Sequence, residues 1–394
     1  MKKLLKYSIT DGIQSFMPIL LWALLPLFYK DSIWVEGLIV TYPYQFIGMV
    51  LYNVLFLSQI KYEEADHLNN RYYSMTGILL YSIVWITLYA VSVMNWKFIQ
   101  NILGLTEIYY ELFVFSLASM GMSFILMAVI TLCQYEDKNK QGMIMCFMWW
   151  ISEICFCVLF SIFDLNLMTV IILMFGILIF ILIYELKGMR FKFCPFGIKY
   201  IVTNLSGHIG MAVVYILGLN KMCMSDINFL SAYNMMTICS DVEWDVVDSA
   251  TDKYVTIETA EGKWNEKTML FYGFIFGIVL FLVCILSVFI CSIIPVYKTS
   301  INFKIVWILI VIEGSWFFID SILNIMEHWI SFAHPNPVQP VCTGMSLMIR
   351  TVVTIIISSV WSVSIAMVAA ETFYMIYTVI LYLWFRYKDT KALS

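Results

Sequence analysis

An acidic segment of the sequence carries the residue pattern best suited to ion chemistry. Between Asp226 and Asp252 there are six carboxylates and no Lys or Arg. Four of them follow i, i+4, i+7 and i+11 spacing, which places them on one face of a helix: Asp241, Asp245, Asp248 and Asp252. Like charges on one face repel, and burying them in lipid is costly. We expect this stripe to face water, a cation or a proton pathway; a hydrated helix end or a salt bridge to Lys253 or Arg350 is the alternative.

Single ionisable residues also interrupt apolar segments elsewhere in the chain. Asp320 is a lone carboxylate inside such a segment, so it binds a cation or proton, or it pairs with a polar group such as Arg350. Arg350 in turn needs a carboxylate or water, and Asp320 and the acidic segment are the candidates. His208 is either a proton relay or a hydrogen-bonded core histidine.

Further carboxylates are weaker candidates for a role in the membrane. Glu153 and Glu371 lie inside apolar segments, and we take Glu153 as a polar partner of the same site. Glu313 and Glu327 lie near the ends of apolar segments, where a solvated side chain is the simplest interpretation.

The sequence gives little support for an enzyme. It shows no nucleophile–base, phosphate-loop or zinc spacing, and His328 and His334 have no evident third ligand. The ten Cys are mostly in apolar segments and contain no CxxC pair. A net charge of −4 argues against nucleic-acid binding. We therefore predict a protein that is not an enzyme and has no cofactor or bound metal, with Na⁺ or H⁺ as the ion that its carboxylates would take.

The composition defines the elements that must position these residues. The chain has 394 residues, of which 62% are hydrophobic and 13% charged, with a mean hydropathy of +0.86. A soluble domain carries about 25% charged residues, so we predict an all-α polytopic membrane protein. Segments of about 20 apolar residues give about twelve transmembrane helices: 12–30, 32–59, 73–95, 109–134, 142–163, 166–186, 195–220, 226–250, 268–296, 304–328, 341–361 and 363–385.

The distribution of basic residues predicts the orientation of these spans. With the N-terminus inside, the inner segments carry 17 Lys and Arg and the outer segments carry five. The basic start Met-Lys-Lys-Leu-Leu-Lys is followed by no small-residue cleavage site, which favours a retained first span. We predict a multi-pass protein of the cell membrane, surrounded by membrane lipids, with both termini cytoplasmic.

Two similar inner loops divide the chain into halves. The loop at 57–73 follows the second predicted span, and the loop at 254–267 follows the eighth; both are amphipathic and lead into long apolar spans. Their offset is about half the chain, which favours two parallel repeats of six spans each. We predict an N-terminal six-helix bundle at 1–190 and a C-terminal six-helix bundle at 191–394.

Several segments together resemble the multidrug and toxic compound extrusion (MATE) family, within the superfamily that includes lipid-linked oligosaccharide flippases. Gln59 ends the second span as a glutamine does in the family, and the small and apolar run at 115–130 is similar to the fourth span. The eighth span opens Ala232-Tyr-Asn and has an aromatic at Trp244. The segment around Asp320, Phe-Ile-Asp-Ser-Ile-Leu, is similar to a family segment that carries an acid.

The resemblance implies a fold and a function. It implies two six-helix bundles around a central cleft and efflux of organic compounds coupled to inward Na⁺ or H⁺ flow. It places a cation-coupling acid at Asp320 and puts the acidic segment, with Asp241, Asp245 and Asp248, beside the cleft. From their own chemistry we add His208, Arg350 and Glu153 as polar partners in the cleft.

Three functions follow as hypotheses. The first is a monomeric ion-coupled antiporter that exports a small organic, cationic or amphipathic substrate by alternating access. The second is a flippase for a lipid-linked or peptide precursor, whose anionic headgroup would favour a cleft rich in Lys and Arg. The third is a non-transporting membrane protein on a degenerate transporter fold.

Overall fold

The structure of the protein is a computed structural model. It describes residues 47, 48, 50–66, 73–103, 107, 110–135, 138–163, 167–186, 191–202, 204–205, 227–243, 250–263, 265–336, 338–357 and 360–393. His208, Asp245 and Asp248 lie outside the described residues, as does the first predicted span.

The described part of the N-terminal half consists of helices and two very short strands. A π-helical stretch, Tyr52–Leu57, runs directly into the first α-helix. The α-helices are α1 (Ser58–Asp66), α2 (Thr76–Met94), α3 (Trp96–Leu103), α4 (Tyr110–Tyr135), α5 (Asn139–Phe163) and α6 (Leu167–Leu186). The strands β1 (Tyr73–Ser74) and β2 (Phe191–Lys192) pair in parallel, a small departure from the predicted all-helical chain.

From Ile227 onward the described elements are all helices, joined by short turns and loops. They are α7 (Ile227–Glu243), α8 (Ala250–Ala260), α9 (Glu266–Ile293), α10 (Pro295–Ser300), α11 (Phe303–Gly314), α12 (Phe317–Ala333), α13 (Val338–Ile357) and α14 (Val360–Leu393).

Local sequence signals fix where several of these helices begin. The side chain of Asn265 accepts from the backbone N–H of Thr268 at 3.2 Å and caps α9. Asn302 accepts from the Lys304 N–H at the start of α11, and Asn336 accepts from the N–H groups of Val338 and Gln339 at the start of α13. Each cap supplies an acceptor to a backbone donor that the helix itself cannot satisfy.

Several predicted spans agree with described helices to within a few residues. The span at 109–134 is α4, the span at 268–296 is α9, and the acidic span at 226–250 contains α7. Four described helices contain stretches that are long and apolar enough to cross a membrane: Thr76–Met94, Phe113–Cys133, Glu266–Ile293 and Ser364–Lys391. The pair α11 and α12 adds a fifth, bent span. The total of twelve stays a prediction.

Apolar side chains cover the outside of these helices. Ile86 on α2, Ile183 on α6 and Ile380 on α14 are each at least 60% exposed. Exposed isoleucines of this kind are favourable only against lipid, because water penalises a large contiguous apolar surface. The fold is therefore that of a multi-pass membrane protein.

Two large buried clusters form the interior. One draws its buried residues from positions 52–181 and the other from positions 232–367. This separation agrees with two packing units along the chain, while the predicted division at 190 stays a prediction.

Hydrogen bonds of Gln59 link α1 to Pro195 and Gly197, near the start of the C-terminal half. The amide of Gln59 donates to the carbonyl of Pro195 at 2.9 Å and to Glu63 at 2.7 Å, and its carbonyl accepts from the Gly197 N–H at 2.8 Å. Gln59 is fully buried, so these bonds also satisfy polar groups that water cannot reach.

The two similar inner loops meet in the structure. Helix α1 belongs to the first loop and α8 to the second, and the two helices contact each other. Ile257 on α8 packs against the N-terminal buried cluster and against a smaller cluster around Trp329. The two halves therefore touch at the end of the molecule where these loops lie.

Candidate functional site

A break between α11 and α12 places two carboxylates at the middle of one span. The helices are separated by Ser315 and Trp316 and differ in direction by 48°. Glu313 lies in the last turn of α11, and Asp320 lies in the first turn of α12. A helix N-terminus favours negative charge, so the start of α12 stabilises the Asp320 carboxylate. Broken helices of this kind are where transporters place ion-binding groups.

Close packing against α9 holds the start of α12 in position. A β-carbon on Gly277 would lie 2.2 Å from the Cα of Phe318 and 2.5 Å from the carbonyl oxygen of Phe317. A β-carbon on Gly273 would lie 3.0 Å from the carbonyl oxygen of Ser321. Because these neighbours are backbone atoms, only glycine lets α9 approach this close.

Arg350 forms a buried ion pair with Glu313. Its Nη1 donates to Glu313 Oε1 at 2.8 Å, and the side chains of the two residues are only 12% and 11% exposed. From the sequence we expect Asp320 or the acidic segment as the partner of Arg350, and a solvated Glu313. Arg350 pairs with Glu313, which the sequence does not predict, and the expectation of a solvated Glu313 is wrong, because Glu313 lies on the same buried face of α11 as Val306 and Ile310.

Asp320 lies against Glu371 of α14. The two carboxyl groups are within hydrogen-bonding reach of each other, and the charges of Glu313 and Arg350 also act on Glu371. Glu313 and Glu371 therefore both act on the guanidinium of Arg350, and Asp320 joins this group through Glu371. Two carboxylates in contact repel strongly unless a proton or a cation lies between them. The Asp320–Glu371 pair is thus a place where one positive charge can be taken up and released.

A row of polar residues continues from Asp320 along α12. Asp320, Asn324, Glu327 and Ser331 share one face, with the same spacing as the aspartates of the acidic segment. Tyr374 of α14 donates its hydroxyl to Asn324 Oδ1 at 2.8 Å and contacts the Glu327 carboxylate. The row thus joins α12 to α14 over about three helical turns.

Residues of α13 surround the Glu327 end of the row. Thr343 contacts Glu327 Oε1 at 3.1 Å, and the amide of Gln339 donates to the same oxygen. The hydroxyl of Tyr377 lies 2.6 Å from that of Thr343, and Ser331 donates to Gln339 at 2.9 Å. Donors from two helices therefore stabilise the negative charge of Glu327.

The remaining predicted site residues with a described backbone are Glu153 and Asp241. Glu153 lies on α5 in the N-terminal half, where it is buried one turn from Trp149 and hydrogen-bonded to it. The backbone of Asp241 lies in α7, while its side chain is outside the described residues. Of the predicted residues, the structure brings together Asp320 and Arg350, through Glu313 and Glu371.

Sequence reasoning underrated Glu313, Glu327 and Glu371 and missed Tyr374. The row on α12 has a signal in the sequence, because its four polar residues follow i, i+4, i+7 and i+11 spacing. Within the described residues no group of three His, Cys, Asp or Glu is arranged to hold a metal ion.

Comparison with known proteins identifies the fold. No protein-family model matches the sequence, and no curated protein matches it. Solved structures do match, over nearly the whole length of both chains. A MOP superfamily transporter from Pyrococcus furiosus is 9% identical, covers 100% of this chain and 96% of its own, and gives a TM-score of 0.67.

Two further structures agree. A Vibrio cholerae MATE transporter is 11% identical, with 97% of this chain and 96% of its own covered and a TM-score of 0.64. A multidrug resistance MATE family transporter of the MOP superfamily, solved in an outward-facing conformation, is 12% identical, with 99% and 96% covered and a TM-score of 0.61. The chain is thus a multi-pass membrane protein with a MATE-like fold, which confirms the fold that the sequence resemblance predicts.

Proposed function

We propose that the protein is a secondary active transporter that exports organic, cationic or amphipathic compounds in exchange for an inward-moving cation. The observation that carries the proposal is the Asp320–Glu371 carboxyl pair at the break between α11 and α12. Ionisable groups inside a membrane are costly and mark ion or substrate pathways. The fold shared with MATE transporters supports the same conclusion.

The negative charge of the Asp320–Glu371 pair explains how cation binding would be coupled to export. With no cation bound, the carboxylates of Glu313, Asp320 and Glu371 outnumber the one nearby cation, Arg350, and the excess negative charge in a low-dielectric environment is unfavourable. Uptake of a cation or proton relieves that repulsion and changes the packing of α12 against α14. Antiport by alternating access then requires that the Asp320–Glu371 pair favours one arrangement of the two halves when it holds a cation and another arrangement when it does not. We place the protein in the cell membrane with both termini cytoplasmic, as the distribution of basic residues favours.

The test is gradient-driven transport in reconstituted vesicles. We expect purified protein in liposomes to move ethidium, used as a cationic probe, when either a Na⁺ or a proton gradient is imposed. The Asp320→Asn and Glu371→Gln variants should each lose gradient-driven movement by about 100-fold, because each removes one carboxylate of the pair. Glu261→Gln serves as the control, since Glu261 is a solvent-exposed carboxylate in the loop after α8. Wild-type rates in Asp320→Asn would overturn the assignment of the site, and an inactive wild type under both gradients would overturn transport itself.

A further inference from the structure

Helix α14 is longer than a membrane crossing requires. It has 34 residues, Val360–Leu393, or about 51 Å along its axis, whereas the hydrocarbon core of a bilayer is about 30 Å thick. About 20 helical residues cross that core, so the apolar stretch that begins at Ser364 leaves it near Trp384. The turns of α14 beyond Trp384 therefore lie at the membrane surface, and the distribution of basic residues predicts that this is the inner surface.

One face of this part of α14 is exposed and changes in character along the helix. Its residues follow i, i+3, i+4, i+7, i+8 and i+11 spacing: Ile380, Leu383, Trp384, Tyr387, Lys388 and Lys391. The four apolar and aromatic side chains are 55% to 63% exposed, and both lysines are exposed. The face passes from aliphatic to aromatic to cationic side chains over about 16 Å of helix. We call these six residues the graded face.

The opposite side of these turns is fixed to the protein. Arg386 donates to Glu266 of α9 at 2.8 Å. Phe385 stacks on the ring of His334 with the ring centroids 4.5 Å apart, and Asp389 lies 3.1 Å from Nε2 of His334. Helix α14 thus stays packed against α9 and the end of α12 as far as Asp389, so the graded face has a defined position at the membrane surface.

The graded face presents ammonium groups next to its aromatic side chains. Nζ of Lys388 lies 4.9 Å from the centre of the Trp384 ring. The carboxylate of the neighbouring Asp389 is directed to His334 and not to this face. Tryptophan side chains mark the level at which acyl chains meet headgroups, and lysines beside them extend to the headgroups. The cationic end of the graded face is therefore suited to a phosphate group.

The order of side chains on the graded face matches the order of groups in one phospholipid. Acyl chains would pack on its aliphatic residues, the ester region would lie beside its aromatic residues, and the phosphate would accept hydrogen bonds from its lysines. A headgroup that is negative overall fits better than phosphatidylcholine, because a choline group would place a cation beside the two lysines. A soluble anion would contact the lysines alone and leave the rest of the face without a partner.

We propose that the graded face of α14 is a binding site for one anionic phospholipid of the inner leaflet. Juxtamembrane lysines attract the anionic lipids of that leaflet, and the fixed position of the graded face holds the headgroup of one such lipid at Lys388 and Lys391. Glu371 lies more than two helical turns before Ile380, so the lipid site is separate from the Asp320–Glu371 pair. Lipid binding can therefore be measured without transport.

The experiment is native mass spectrometry of the full-length protein in detergent, with dioleoylphosphatidylglycerol and dioleoylphosphatidylcholine as probes. We expect the wild type to bind phosphatidylglycerol about 10-fold more tightly or better, since each lysine near an anionic headgroup strengthens binding by about five-fold. Lys388→Gln with Lys391→Gln should lose that preference, and Lys388→Arg with Lys391→Arg should keep it. The matched control is Lys298→Gln with Lys304→Gln, which removes two exposed lysines at the opposite end of α9 and should change the affinity by less than about two-fold.

Several outcomes would overturn the lipid site. Equal binding of the two lipids by the wild type would exclude a preference for an anionic headgroup, and an unchanged preference after Lys388→Gln with Lys391→Gln would exclude this face. Displacement of phosphatidylglycerol by millimolar inorganic phosphate would show an ion site that needs no acyl chains. A dimer that disappears in the same double variant would make a second copy of the chain the occupant. A wild type that moves no ethidium would overturn the proposed transport function and leave the lipid site standing.

Discussion

Arg350→Met should destabilise the folded protein by about 3 to 5 kcal/mol. The guanidinium of Arg350 lies 2.8 Å from Glu313, and both side chains are nearly excluded from solvent. Methionine fills much of the same volume but leaves Glu313 as a buried carboxylate without its cation. The substitution also removes a positive charge from the surroundings of Glu371, because the charge of Arg350 acts on that carboxyl group. The measurement is unfolding by sodium dodecyl sulfate in mixed micelles, followed by tryptophan fluorescence.

A second arginine provides a matched control. Arg386 also lies 2.8 Å from a glutamate, Glu266, but the side chains in this pair are 38% and 33% exposed. Arg386→Met should therefore cost less than about 1 kcal/mol. The double variant Arg350→Met with Glu313→Gln should recover most of the lost stability, because it leaves no unpaired charge. Equal losses in the two single variants would show that burial does not set the strength of these pairs.

Gly277→Val should destabilise the protein by about 3 kcal/mol or more and abolish transport. The first carbon of the new side chain would lie 2.2 Å from the Cα of Phe318, so α9 and α12 must separate. Asp320 is two residues beyond Phe318, and the separation would draw it away from Glu371. Unfolding in mixed micelles and ethidium movement in vesicles measure the two effects.

Gly176→Val is the matched control for this steric argument. Gly176 lies on the exposed surface of α6, and no heavy atom is within 4 Å of the position of a β-carbon there. Because valine is a slightly better helix former than glycine, its stability should stay within about 0.5 kcal/mol of the wild type. A Gly277→Val protein as stable and active as Gly176→Val would contradict the close contact between α9 and α12.

The sequence predicts the membrane-spanning helices well because most of them are long apolar runs. Helix α4 at Tyr110–Tyr135 and helix α9 at Glu266–Ile293 differ from the predicted spans by a few residues at each end. Asp320 also follows from the sequence, since a single carboxylate within a span is conspicuous whatever it contacts. The MATE-like fold follows from the order of segments, and the solved structures confirm it.

The neighbours of Asp320 could not be predicted in the same way. Its contact with Glu371 joins residues 51 positions apart, and the sequence gives no register for α12 against α14. The break at Ser315 and Trp316 contains no proline, so hydropathy predicts one continuous span there. Glu313 is buried because it continues the face of α11 formed by Val306 and Ile310, and its contact with Arg350 joins residues 37 positions apart. Asn324 and Ser331 are uncharged, so they do not stand out in the sequence as members of the polar row on α12.

All described residues of the candidate site come from positions 313–377, on four consecutive helices of one half. Under the proposed function, the part that captures energy from the ion gradient is encoded in one continuous portion of the chain. Substitutions in the N-terminal half would then leave the ion stoichiometry unchanged. Energy coupling would be inherited as a trait of the C-terminal half alone.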